Sequence, residues 1–196
     1  MTEKEEIEFI AEWLSLDSYS FRILTITTIL ADNKRAYRGT LAQFCESMNI
    51  QPSSGNKNKI KASLEFLATN DYIKLIIDNN IYTISLAAAI EKNPEILKIK
   101  KAWYVLIRKY GGKISWGSTL KVFLSLLEIP PDKTTTYKEI GGKLGLSEST
   151  IERCIKTLCS INFEDFQFKK TPLNKKTDDG NYFCIGQTYE KVIIFE

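Results

Sequence analysis

Histidine is absent from all 196 residues, and that single absence removes several chemistries. No Ser-His-Asp or Cys-His nucleophile can be assembled, most general-base schemes lose their usual group, and no zinc site of the common Cys/His kind can form. Cysteine is scarce as well: Cys45, Cys154, Cys159 and Cys184 contain no C-x-x-C pair and read as reduced, mostly buried small apolar residues. No apolar run approaches the roughly 18 residues of a membrane span. The N-terminal segment is acidic where a secretory leader would be basic and then apolar. A cytoplasmic protein without membrane association is the expectation. The chain also lacks a nucleotide-binding glycine loop, a carboxylate cluster for a metal, and kinase or nuclease motifs. It therefore points to a binding protein without a cofactor, not to an enzyme.

What is present is ordinary for a folded domain: 43% hydrophobic and 26% charged residues, at a length that suits one large domain or two small ones. The net charge of +3 is unevenly placed. Glu3, Glu5, Glu6, Glu8 and Glu12 cluster at the start, whereas residues 101–150 carry Lys101, Arg108, Lys109, Lys113, Lys121, Lys133, Lys138 and Lys143 against Glu128, Asp132, Glu139 and Glu148. Such asymmetry suggests a basic surface able to meet phosphates.

Hydrophobic periodicity organises the first half. Glu3 to Leu16 puts Ile7, Ile10, Trp13 and Leu14 on one helical face and predicts a first helix. Ser18 can cap a second through Phe21, Leu24, Ile26 and Leu30, ending near Asp32-Asn33. A short helix follows from about Thr40 to Met48, with Leu41 and Phe44 inward, then turn chemistry from Asn49 to Gly55. Asn56 to Asn70 reads as a helix with Ile60, Leu64 and Leu67 inward. The period then changes. Ile73 to Ile77 and Ile81 to Leu86 flank Asp78-Asn79-Asn80 and read as a hairpin, which must pack on the helices to be stable.

Asn93-Pro94-Glu95 opens a further helix bearing Ile96, Ile99, Trp103, Leu106 and Tyr110, stopped by Gly111-Gly112. The second half then repeats the order. Helices are expected over Ser115 to Ile129, Tyr137 to Leu144, and from the cap Ser147 to Ser160, with Gly145-Leu146 as a turn. Phe166 to Lys169 and Tyr182 to Ile185 bracket a loop from Thr171 to Asn181, and Lys191 to Phe195 can add a strand. Helices followed by a hairpin is the winged-helix order. The expected fold is mainly α with short β-hairpins (α+β): winged-helix domains over 1–90 and 114–196, joined by a long connecting helix over 91–113.

In such a module the third helix enters the major groove. With Ile60, Leu64 and Leu67 inward, Asn58, Lys61, Ala62 and Glu65 face outward and Lys59 lies at the flank. Asn and Lys suit base edges or phosphates, and Ser53 and Ser54 precede the helix where hydroxyl and free N–H groups suit a phosphate. With Ile151, Ile155 and Leu158 inward, Ser149, Glu152, Arg153 and Lys156 share the outward face. Arg153 is the leading candidate for a groove contact, the competing reading being an ion pair with Glu148 or Glu152. Lys169, Lys170, Lys175 and Lys176 mark the second wing for the phosphate backbone, or else form a solubilising loop with Asp178 and Asp179 nearby. Trp13, Trp103 and Trp116 lie on apolar stripes and read as core.

Val122-Phe123, Leu126 to Pro130, Lys133 to Ile140 and Leu144-Gly145 resemble the DNA-binding domain of O6-alkylguanine-DNA alkyltransferases. The resemblance implies a winged-helix variant that binds the minor groove, with Tyr137 on the phosphate side, Arg153 inserted into the base stack, and Asn162 matching the family's Asn after the recognition helix. It covers about a quarter of the chain and needs two extra residues before Arg153. The family's Pro-Cys-His-Arg nucleophile motif is missing, Lys169-Lys170-Thr171-Pro172 standing at the matching distance, and neither Cys154 nor Cys159 has a histidine to activate it.

The functional expectation is binding of double-stranded DNA, as a transcriptional regulator or a replication or maintenance factor. The alternatives are a protein-interaction scaffold, as a homodimer or with a protein partner, and a non-catalytic binder of alkylated DNA.

Overall fold

At the start of the chain charged and apolar residues alternate, Glu6-Ile7-Glu8-Phe9-Ile10, and a period of two builds a strand. A computed structural model of the protein describes residues 6–31, 36–87, 95–130, 135–164, 166–176 and 182–193, without the side chains of 113–115 and of 170 onward. In it Glu6–Ile10 is strand β1. The helix expected from Glu3 to Leu16 is replaced by this strand and a 3-10 turn, Ala11–Ser15, that buries Trp13 and Leu14. What decides between the two is a partner far along the chain. β1 pairs antiparallel with residues Ile96–Lys100, where Glu8 opposes Lys98 at 3.1 Å, Glu6 opposes Lys100, and Ile7 meets Ile99 inside. The strand Ile96–Lys100 likewise replaces the first part of the helix expected over 91–113. Asn93 and Pro94, proposed as its start, lie outside the described residues.

The chain divides into two compact units, Met1–Lys101 and Ala102–Glu196. In the first, helix α1 (Ser18–Leu30) is capped by Asp17, whose carboxylate accepts from the Tyr19 N–H at 2.8 Å; Ser18 is the first helical residue and not the cap. α1 is buried nearly all round, with Phe21, Ile23, Leu24 and Ile26 at 0% exposure. The hydroxyls of Thr25 and Thr27 donate back to the carbonyls of Phe21 and Ile23, so both are satisfied within the helix. Strand β2 (Ala36–Gly39), unforeseen in the sequence, is followed by α2 (Leu41–Ser47), α3 (Ser54–Thr69), β3 (Ile73–Asp78) and β4 (Ile81–Leu86). These strands form an antiparallel sheet in the order β2-β4-β3. Asn79 and Asn80, with φ of 47° and 63°, make the tight turn of the β3–β4 hairpin. β5 is the strand Ile96–Lys100 that closes on β1.

The second unit begins with α4 (Lys101–Tyr110) and α5 (Gly112–Leu127), so the connecting helix is shorter than expected and the next starts before Ser115. Gly111 is needed there because a Cβ would lie 2.6 Å from the Ile107 carbonyl oxygen. Then come α6 (Tyr137–Leu144), α7 (Glu148–Ser160), β6 (Phe166–Lys176) and β7 (Tyr182–Ile193). β6 and β7 form one long hairpin, so Thr171–Lys176 is strand and not loop, and the separate strand expected from Lys191 is the end of β7. The core is an aromatic cluster: Trp103 lies 5.0 Å from Phe166, Phe123 5.2 Å from Phe163, and Phe163 4.9 Å from Phe166, centroid to centroid. Trp13, Trp103 and Trp116 are all buried. The protein is thus α+β with small antiparallel sheets. Among the described residues no helix is long and apolar enough to cross a membrane.

Candidate nucleic-acid interface

The same local device opens α2 in the first unit and α6 in the second. Thr40 and Thr136 are N-caps whose hydroxyls accept from the backbone N–H of Gln43 and Glu139, and those side chains reach back to the cap N–H. This reciprocal capping box fixes where α2 and α6 start. The correspondence then continues residue by residue at one constant spacing. Phe44 and Ile140 are buried, as are Met48 and Leu144; Asn49 and Gly145 take up left-handed backbone with φ of 58° and 64°. The N–H of Ile50 donates to the Cys45 carbonyl at 2.9 Å, and that of Leu146 to the Gly141 carbonyl at 3.0 Å. Two equivalent corners result, one delivering the chain into α3 and the other into α7.

α3 and α7 are both capped by serine. The Ser53 hydroxyl accepts from the Asn56 N–H and the Ser147 hydroxyl from the Thr150 N–H, both at 3.3 Å. Ser53 is therefore occupied as a cap, while Ser54 is the exposed first residue of α3. Ile60, Leu64 and Leu67 are fully buried, and Asn58, Lys59, Lys61, Ala62 and Glu65 are all exposed. The first turns of α3 are braced from α1. The Tyr19 hydroxyl donates to Asn56 Oδ1 at 2.8 Å, Asn56 donates to the Gln51 carbonyl, and the Lys59 ammonium stands 5.6 Å over the Tyr19 ring. Lys61 and Glu65 approach at 3.9 Å, an exposed pair of little energetic weight.

On α7, Ile151, Cys154, Ile155 and Leu158 are buried, and Ser149, Arg153 and Lys156 are exposed. The ion pair foreseen for Arg153 is made by its neighbour instead. Glu152 binds Lys156 at 2.9 Å and raises that ammonium's pKa by hydrogen bond and charge, with a smaller contribution from Tyr137. Among the described residues, Arg153 makes no ion pair. Tyr137 is half-buried at the start of α6, and Asn162 is exposed just past α7.

The two hairpins are unlike. The β3–β4 hairpin exposes Ile76 at 65% and Ile77 at 52%. In β6, Lys169 is exposed, and Lys170, Lys175 and Lys176 are placed along the strand by its register. Lys169 to Pro172, which fall where the alkyltransferase motif would stand, are likewise in β6.

One lysine counted toward the basic surface is not on it. Lys121 is 1% exposed, and its ammonium donates to the carbonyl of Leu144, the last residue of α6, at 3.2 Å. It is a buried clamp on the corner before α7, with a positive charge at a helix C-terminus. Gly141 belongs to the same corner: a Cβ there would lie 2.5 Å from the Leu146 carbonyl oxygen. Tyr19, Asn56, Lys121 and Gly141 were all missed as site-shaping residues. Only Gly141 left a signal, a glycine inside a helical stretch. Cys45 and Cys154 are buried and Cys159 partly so; burial pushes the Cys154 thiol pKa up, the reverse of a reactive thiol.

Compared with the models of known protein families and with curated proteins, the chain matches none.

Proposed function

We propose that the chain is a non-catalytic protein that binds double-stranded DNA through two winged-helix modules, acting in transcriptional regulation or in genome replication and maintenance. The observation that carries this reading is the state of α3 and α7, the helix after the corner in each unit. Each buries one apolar stripe and leaves a polar, cation-bearing face in solvent: Asn58, Lys59 and Lys61 on α3, Ser149, Arg153 and Lys156 on α7. The element order supports it in the first unit: helix, strand, helix, helix, then a hairpin sheeted with that strand. Lysines of β6 would lie along the backbone. Tethered on one chain, two weak modules gain affinity from their effective concentration. An electrophoretic shift with duplex DNA tests this. Binding at low salt that weakens steeply as salt rises is expected; no shift at low salt overturns it.

A specific observation favours a second reading, docking to protein. Ile76 and Ile77 give the first hairpin an apolar surface, which suits a protein groove better than phosphates. On that reading, Lys61→Ala with Arg153→Ala leaves function intact. The alkyltransferase likeness adds one further arm: a preference for duplex containing O6-methylguanine would assign the second module to damaged DNA.

A further inference from the structure

β6 and β7 run for 11 and 12 residues, against 6 each in β3 and β4. The root of this ribbon lies in the aromatic core, where Phe166 and Phe168 are buried. From Phe168 to Lys176 the ladder continues for roughly 25 Å at the usual rise of a strand. Along β6 the chain carries Lys169, Lys170, Lys175 and Lys176 and no acid. The register sets Lys170 opposite Tyr189, Lys175 opposite Phe183, and Lys176 opposite Tyr182. Directly opposed residues of an antiparallel pair share a face of the ribbon. Lys170–Tyr189 and Lys176–Tyr182 thus match cationic with aromatic positions on one face of β6, Lys175–Phe183 falls on the other because neighbouring residues alternate, and Lys169 stands opposite Glu190.

Within a closed duplex the bases already stack on each other, so phosphates are all that such a ribbon could grip. An unpaired strand offers both phosphates and free base faces, and aromatic rings beside ammonium groups bind the two together. We propose that the β6–β7 ribbon is a site for single-stranded nucleic acid, Lys170 and Lys176 taking phosphates and Tyr182 and Tyr189 stacking on bases. The inference rests on the DNA reading above and narrows its substrate to duplex that ends in, or opens into, unpaired strand.

The test uses the full chain and fluorescence anisotropy at low salt, with three probes: a blunt duplex, the same duplex carrying an unpaired oligo-dT tail, and oligo-dT alone. A 2-aminopurine within the tail reports stacking. Expected is roughly tenfold tighter binding of the tailed duplex, with quenching of the 2-aminopurine. Tyr182→Leu with Tyr189→Leu removes both effects and leaves the blunt duplex bound as before, whereas Tyr182→Phe with Tyr189→Phe keeps both. Retention by the phenylalanine pair assigns both effects to the aromatic rings and not to the hydroxyls. Equal binding of blunt and tailed duplexes overturns the ribbon site and leaves the duplex reading standing; a ribbon that serves a protein partner gives this result. If neither duplex binds, the duplex reading falls, and failure of oligo-dT alone to bind then overturns the ribbon site too.

Discussion

Between α2 and α3 the chain turns its corner through Asn49, Ile50, Gln51 and Pro52 before the cap Ser53; between α6 and α7 it needs only Gly145 and Leu146 before Ser147. The entry into each corner is equivalent, so the difference lies in the exit. In α7 the first buried residue, Ile151, comes one turn after the cap, whereas in α3 nothing is buried before Ile60, about one turn later. α3 therefore has an additional turn, starting at Ser54, ahead of its core stripe, and Tyr19 braces it through Asn56. Charge differs in the same sense. The outward side of α3 holds Lys59 and Lys61 against Glu65, while α7 sets Glu148 and Glu152 against Arg153 and Lys156. One architectural device thus yields a basic projecting helix in the first unit and a charge-balanced, tightly held one in the second.

The tight corner is the easier of the two to break. At Gly141 a methyl group would meet a backbone oxygen, which cannot yield as a side-chain end would, so Gly141→Ala should cost about 3 kcal/mol. At the equivalent place in the first unit a Cβ already fits, and Cys45→Ala should cost only about 1 kcal/mol for lost packing. Hydrogen exchange of α6–α7 amides against α2–α3 amides would separate the two, since each amide reports the opening of its own region. Equal losses would mean that the corners are alike after all. The difference in charge predicts the next largest effect. Lys59→Ala with Lys61→Ala should weaken duplex binding at low salt by about tenfold and lower the salt slope by about two. Arg153→Ala with Lys156→Ala should lower the slope by about one, because Glu152 already neutralises Lys156. The opposite ranking would place the main contact in the second unit.

These same corners explain what could be read in the sequence. α6 and α7 have the expected bounds because their signals are local: threonine and serine caps, an acid at the third position, and a glycine able to adopt positive φ. The faces of α3 and α7 followed from helical spacing alone. β1 and β5 were misread because Ile7, Ile10, Trp13 and Leu14, or Ile96, Ile99 and Trp103, fit a helical stripe. Their strand character rests on a cross-strand partner nearly the length of the unit away. β2 is four residues ending in glycine, too short to show a period, and it exists through β4. Lys121 was counted with the surface lysines because nothing in its neighbours signals that a carbonyl of α6 waits for it.

A smaller test concerns the residues at the corners that take up positive φ. Gly145→Ala should destabilise by about 1 kcal/mol, since an L side chain is strained at φ of 64° and open space around the position removes any clash. Asn49→Gly, at φ of 58°, should change stability by only a few tenths of a kcal/mol, because asparagine tolerates that region well. Thermal unfolding read by amide exchange in each unit checks both. A large gain from Asn49→Gly would show strain in the first corner.

The smallest effect separates the units by pH. In the first unit the Tyr72 hydroxyl donates to the Glu12 carboxylate at 2.7 Å, tying the start of the hairpin to the 3-10 turn. The hydrogen bond to Glu12 first, then burial and the carboxylate's charge, pushes the Tyr72 pKa up to about 12. The folded state therefore holds this proton more tightly than the unfolded chain, in which tyrosine ionises near 10. Its contribution is complete below about pH 10 and is lost as pH rises toward 12. The pair is largely open to solvent, so the effect should stay below about 1 kcal/mol. Tyr72→Phe should abolish that alkaline step in the amide exchange of β3 while leaving α6 and α7 unchanged. Persistence of the step in the variant would assign it to another group and cut the link between Tyr72 and the closure of the first unit.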